Sequence, residues 1–537
     1  MAKVKFGWKE AAIIVLIVLL AASWGWFVTT VTKAPPAPKL ATDPETLVIA
    51  MDISDAVSMD PARAYEYTSC FVVNQLYDKL VDFPPPYVEP APELAESWEV
   101  APDGVTWTFK IRKGVTFADG TPLDAEAVAF SLKRAIKLKQ TASWILTQFD
   151  ITEDSIKVID KYTLQIKLGY PVAPRTFLSC LAFTVGAVVN PKEVLAHQKN
   201  GDLGSEWLTD HSAGSGPYIL EKWERESEIV LVANKKYWRG APKIKKIIIK
   251  HVPEPTDQML LLEKGDVDIA WSLTADQIAE LRGKPGIRVI SKPVYSKRYI
   301  GMNCGYEPFK NEKVREAIRW AIDYDAIIKL LKGAAVPLQT FIEQGIPGHN
   351  PAIPYYRDVE KAKKLLAEAG YPNGFEVELM APPTYPDRDI AAIIKSNLEE
   401  IGIKVTIRLV TAAEMYEKYR KQGHQMILAQ WGADYPDPDA LAKPFANYRV
   451  KQLAWRNMWY DDYAADLCEK AAKEFDWAKR IAMYKELTEY VLHHGPYAIL
   501  CQDVQQIALR TWVENFYIDP TFFLLDLSQV YKEKVVT

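Results

Sequence analysis

Residues 94–135 read LAESWEVAPDGVTWTFKIRKGVTFADGTPLDAEAVAFSLKRA, and their local chemistry points to the fold class. Trp107-Thr108-Phe109-Lys110-Ile111 alternates bulky apolar with polar side chains, the two-residue period of a half-buried strand. Asp103-Gly104 before it and Asp119-Gly120 after it are turn dipeptides, so a hairpin-like unit is punctuated at both ends. Pro122 and Asp124 then open an amphipathic helix, with Val128, Leu132 and Ile136 at four-residue spacing on one face.

The same grammar continues on both sides of this stretch. Thr46–Met51 is strand-like, and Asp60-Pro61-Ala62-Arg63 starts a loop into a helix running through Val72, Leu76 and Leu80. Residues 164–168 form another alternating strand. Further strands are expected at 228–232, 245–250 and 299–301. Residues 314–323 place Val314, Ala317, Ile318 and Ala321 on one helical face. A helix at 359–369 stops at Gly370, and strand 376–380, helix 389–401 and strand Lys404–Leu409 follow. Such alternation predicts a mixed α/β protein.

At 537 residues the chain exceeds the roughly 250–300 at which single cores split, so two or more lobes are expected. A net charge of −4 gives no reason to propose nucleic-acid binding or a polybasic membrane patch. Lys3, Lys5 and Lys9 precede an apolar run over residues 11–31, about the roughly 20 residues that cross a bilayer. That order predicts a cytoplasmic N-terminus and an exported body. Residues 1–33 therefore read as a membrane anchor or a signal peptide; Trp24, Trp26 and Phe27 and the lack of an A-x-A site favour the anchor. Residues 34–45 read as a Pro-rich tether.

Catalytic and metal motifs are absent from the sequence. There is no G-x-S-x-G, no H-E-x-x-H and no phosphate loop, so a non-enzymatic protein without a cofactor is expected. The adjacent His493-His494 diverge by roughly 100° on a helix and do not make a metal face. Cys70, Cys180, Cys304, Cys468 and Cys501 are scattered, which suits buried free thiols and leaves one disulfide open.

The 94–135 stretch, GSGPYILEKWERESEIVLVANKKYWRGAPKIKKIIIKHV from Gly214, LEKGDVD from Leu262 and residues 314–323 closely resemble family 5 extracellular solute-binding proteins. These are the receptors of peptide and nickel ABC importers. The resemblance implies a type II periplasmic-binding-protein fold: two lobes with a ligand cleft, and a small α/β subdomain inserted in lobe I. It would divide lobe I into 46–75, 206–297 and 498–537, with the inserted subdomain at 76–205 and lobe II at 298–497. Crossings near Lys297 and Tyr497 would form the hinge.

Residues 425–429 are strand-like, and the prolines after them end regular pairing, so Trp431, Asp434 and Tyr435 are carried on a strand-end loop. The segment resembles the W-x-A-D motif of oligopeptide receptors, which implies that Asp434 captures a ligand α-ammonium beside Trp431. Those receptors have a cysteine where Gly432 stands, so their local disulfide has no counterpart here. As turn residues beside prolines, Asp434 and Asp437 would need no ligand. Tyr65 and Tyr67 match the opposite side of the cleft and share one side if their loop is extended; Asn303 is a further contact. A ligand carboxylate could meet Arg63, Lys297, Arg298 or Arg388, and Trp144, Trp207, Trp223, Trp238, Trp455 and Trp459 could line a cleft.

The expected function is that of an extracytoplasmic receptor, monomeric, that passes short peptides to ABC permease subunits. Oligosaccharides, opines or a metal chelate are alternative ligands. A peptide-binding chaperone or sensor is the alternative outside transport.

Overall fold

In the computed structural model, which describes residues 43–85, 89–521 and 524–533, the 94–135 stretch forms the expected unit. The expected anchor (1–33), and the tether up to residue 42, lie outside the described residues. Strands Ala95–Val100 and Thr106–Ile111 pair antiparallel, with Trp98 opposite Phe109 and Val100 opposite Trp107. Asp103 closes the turn between them by accepting the amides of Val105 and Thr106, both at 2.9 Å. Asp124 caps helix Ala125–Leu138 through the amides of Glu126 and Ala127.

Thr163–Lys167 and Ile156–Asp160 complete a four-stranded antiparallel sheet. Trp107, Phe109 and Ile111 point to its buried face and belong to the same apolar cluster as Val128 and Leu132 of the helix. Burying one face of each element against the other is what holds this unit together.

A second, eleven-stranded mixed sheet runs through the described residues. Its centre is an antiparallel pair of long strands, Ile287–Met302 and Tyr497–Arg510. On one side lie Met426–Gly432, Glu376–Ala381 and Lys404–Leu409; on the other lie Ile269–Ala270, Thr46–Met51, Lys246–His251, Glu228–Ala233 and Tyr218–Glu224. Lys297 sits midway along the first long strand, its ammonium 2.5 Å from Glu343, with both side chains fully buried.

Two expectations are corrected here. The strand expected at 299–301 begins at Ile287, because irregular pairing between Pro293 and Lys297 breaks the two-residue period that would reveal it. The helix expected to reach Leu80 is Tyr67–Leu76, and it stops because Tyr77 is extended (φ −134°, ψ 144°). The Leu76 carbonyl there accepts the Gly216 amide, and a Cβ on Gly214 would stand 2.0 Å from that oxygen. The glycines of Gly214-Ser215-Gly216 are thus needed for close backbone approach.

The four-stranded unit is bolted to residues 437–480. Arg480 makes two hydrogen bonds to Asp437 (2.6 and 2.9 Å) and one to Thr176 Oγ1 (2.7 Å) of helix Pro174–Leu181. The Ala173 amide also donates to the Ala472 carbonyl. All five cysteines are free, and four of them are buried. No helix among the described residues is long and apolar enough to cross a membrane.

Candidate ligand-binding site

Met426–Ala429 are buried apolar residues in the main sheet, and the strand carries on to Gly432. It pairs with Glu376–Ala381 only through Met426 and Ile427, so among the described residues its last part has one edge without a strand neighbour. Pro436 and Pro438 prevent further pairing, and helix Asp439–Ala446 begins at once. This strand–loop–helix corner projects Trp431, Asp434 and Tyr435 into a cavity of about 650 Å³. That volume lies within the range of small-ligand sites.

Tyr65 reaches the same cavity from the loop after the first strand, and its hydroxyl donates to Asp434 Oδ1 at 2.9 Å. Trp144, Tyr170 and Tyr416 extend the aromatic wall. Burial pushes the Asp434 carboxyl up to about 6, while the Tyr65 hydrogen bond holds it down by favouring the charged form. Asp434 forms no ion pair among the described residues, so nothing cationic offsets the cost of ionising it. Asp439, by contrast, is matched: it accepts from Lys443 at 2.7 Å and from the Tyr435 hydroxyl at 3.1 Å.

Four of the six expected contact residues therefore meet in one cavity: Tyr65, Trp431, Asp434 and Tyr435. Tyr67 stands apart from that lining. Helix Tyr67–Leu76 starts at this residue, so the extended spacing that would align it with Tyr65 ends at Glu66. Its hydroxyl accepts from Trp271 Nε1 at 3.0 Å, within the apolar cluster beneath Thr46–Met51. Asn303 is also elsewhere: its amide donates to the carbonyls of Gln422 and His424, and its oxygen accepts the Gly305 amide. It braces the turn that ends the long strand.

The expected carboxylate partners are engaged otherwise. Lys297 pairs with Glu343, Arg298 with Asp387 and Asp503, and Arg388 with Asp389; Arg63 does not line the cavity. Of the six tryptophans considered, Trp144 does line it. Trp238 instead donates to Asp78, and Trp207 is stacked between His197 and His211. Arg420 and Arg456, which the sequence reading passed over, line the cavity. A local signal existed for the first, since Tyr416 and Arg420 are four apart on helix Ala412–Arg420. His493 and His494 contact Glu489 and Glu312 separately, and no cluster of three metal-ligating side chains occurs among the described residues.

Comparison with known proteins gives this geometry a setting. Residues 89–452 match the model described as "Bacterial extracellular solute-binding proteins, family 5 Middle". The chain is 27% identical over 494 residues to a probable D,D-dipeptide-binding periplasmic protein of Escherichia coli (strain K12), covering 89% of this chain and 92% of that one. A Helicobacter pylori periplasmic binding protein solved with the peptide STSA superposes with a TM-score of 0.76 at 27% identity, covering 91% of this chain and 98% of that one. A binding protein of A. tumefaciens R10 in complex with agropinic acid superposes with a TM-score of 0.74 at 26% identity, covering 91% and 99%. The fold is that of the type II periplasmic binding proteins. The chain belongs to the bacterial extracellular solute-binding proteins of family 5.

Proposed function

We propose that this protein is the extracytoplasmic receptor of an ABC importer, capturing short peptides in the Asp434 cavity and delivering them to the permease. One observation carries the reading: a carboxylate lines an aromatic cavity with a tyrosine hydroxyl, and no cation, as its partner among the described residues. A peptide α-ammonium supplies the missing charge. The unpaired strand edge beside Trp431 can then hydrogen-bond the peptide backbone whatever its side chains. The relative solved with STSA, and the one named for D,D-dipeptides, support this ligand class.

In this reading residues 46–75, 206–297 and 498–537 form lobe I, with 76–205 inserted, and residues 298–497 form lobe II. The long paired strands carry the crossings at Lys297 and Tyr497, which suits a hinge. Ligand drives closure to the extent that the closed form contacts it better than the open one. The protein acts as a monomer on the outer side of the cytoplasmic membrane, held there by residues 1–33 if that segment is retained. Its catalytic partners are the importer's ATPases.

Two measurements test the reading. N-acetylation of Ala-Ala-Ala, or Asp434→Ala, should each remove about 2–5 kcal/mol of binding by calorimetry; equal affinity for both peptides would overturn it. Mass spectrometry of ligands released from never-denatured protein should show short peptides. An opine there would keep the receptor but replace the ligand class, a reading favoured by the agropinic acid complex.

A further inference from the structure

The inserted segment, residues 76–205, meets both lobes, and its two junctions are built differently. Toward lobe I a buried ion pair crosses. Arg134 donates to both oxygens of Asp60 at 2.7 Å, and both side chains are almost fully buried. Parting them would strand an unpaired charge on each side.

Toward lobe II the crossing contacts are hydrogen bonds. Arg175 of helix Pro174–Leu181 sends Nε and Nη2 to the Pro436 carbonyl at 3.3 and 3.1 Å. Thr176 Oγ1 donates to Asp437 Oδ1 at 3.1 Å and accepts from Arg480 Nη2 at 2.7 Å. The Ala173 amide donates to the Ala472 carbonyl at 3.0 Å. Among the described residues the one ion pair across this seam, Arg175 with Asp437, is long at 3.8 Å.

Each charge at the seam keeps a closer partner on its own side. Arg175 Nη1 meets Glu89 at 2.7 Å within the insert, and Arg480 holds Asp437 at 2.6 and 2.9 Å within lobe II. Lys443 follows the same rule: it reaches Gln148 of the insert at 3.1 Å, but its carboxylate, Asp439, is 2.7 Å away in lobe II. Separating the insert from lobe II therefore breaks hydrogen bonds without leaving a buried charge alone, so this seam can open where the Arg134–Asp60 junction cannot. The cavity is walled from both sides of it. Trp144, Gln148 and Tyr170 come from the insert, while Asp434 and Tyr435 directly precede Pro436.

We propose that Arg175 and Thr176 form a clasp with Pro436 and Asp437 that holds the cavity shut over a bound ligand and sets how slowly that ligand leaves. This rests on the two-lobe reading, in which the insert moves with lobe I about the crossings at Lys297 and Tyr497. None of the four clasp residues lines the cavity, so the clasp slows the departure of every ligand by the same factor.

The test is stopped-flow kinetics on the full-length chain, following tryptophan fluorescence with Ala-Ala-Ala and Phe-Ala-Ala. Arg175→Gln should raise the dissociation rate of each peptide about tenfold or more, by one common factor, and change association far less. Glu89 is 71% exposed, so this substitution leaves no buried carboxylate without its partner. Should the glutamine variant fail to fold, Thr176→Val, which is close in size, should still raise both dissociation rates several-fold. Rates unchanged in the variants, or a factor that differs between the two peptides, overturn the clasp and leave the peptide reading intact. If neither peptide binds the wild type, the peptide reading fails and small-angle scattering decides the clasp. Without added ligand, the Arg175→Gln protein should then show a larger radius of gyration than the wild type, and equal radii overturn the clasp as well.

Discussion

The Tyr65 hydroxyl donates a 2.9 Å hydrogen bond to Asp434 Oδ1, joining residues 369 positions apart in the chain. The bond favours the ionised acid against the burial that opposes it. Tyr65→Phe removes the bond and keeps the ring, so the Asp434 carboxyl should rise further above 6. A hydrogen bond to a charged group contributes roughly 1.5–3 kcal/mol, so the pH midpoint for binding Ala-Ala-Ala should move up by about one to two units. Affinities measured from pH 5 to 9 check this; an unmoved midpoint would separate Tyr65 from the anchor.

Asp434 should also show in stability, with a definite sign. Its carboxyl lies at about 6 in the folded chain against 3.8 for the free group, so between those values the native state binds more protons than the unfolded state. Stability therefore falls as pH rises through that window, and the loss is complete above about pH 6. Asp434→Asn removes the penalty. Ligand-free variant should melt about 2 °C above the wild type at pH 7.5 and level with it below pH 4. His424, which burial lowers to about 4, acts in the opposite direction but is common to both proteins and cancels in the difference.

The parts of this architecture written locally were legible, and the parts set by distant chain were not. Asp103, Gly104, Asp124 and the 107–111 alternation each act within a few residues, and the hairpin and capped helix form where they indicate. Trp431, Asp434 and Tyr435 were legible because two prolines fix where their strand must end. Tyr67 misled because the helix starts one residue too early for the extended spacing to hold. Arg456 was not legible because its place in the cavity lining is set by distant chain: nothing in LAWRN states which cavity the arginine will face.

The five free cysteines give a simple chemical check. Burial raises the thiols of Cys70, Cys180, Cys304, Cys468 and Cys501, and Cys304 alone is not fully buried. The native protein should react with a thiol reagent at Cys304 at most, and slowly, because the thiolate is the reactive form. All five should react in denaturant without prior reduction. Fewer than five would reveal a disulfide.

Arg480 and Asp437 should dominate the acid stability of the cavity wall. Both are almost completely buried, and they are joined by hydrogen bonds of 2.6 and 2.9 Å. Burial alone would raise the Asp437 carboxyl, but the Arg480 charge and its hydrogen bonds outweigh burial and leave it below 3.8. An acid lowered in this way stabilises the fold above 3.8, and that contribution is lost as pH falls through the depressed value. Arg480→Met leaves Asp437 buried with Arg175 at 3.8 Å as its nearest remaining cation. Removing one partner of a buried pair costs about 3–5 kcal/mol, so urea unfolding at pH 7 should show a loss of that order. Adding Asp437→Asn should recover part of it, since no unpaired charge then remains inside. Below pH 4 the gap between Arg480→Met and wild type should narrow, because the wild type loses there what the variant never had. A gap constant from pH 7 to 3 would mean that Arg480 acts by packing against Tyr484 rather than by its charge.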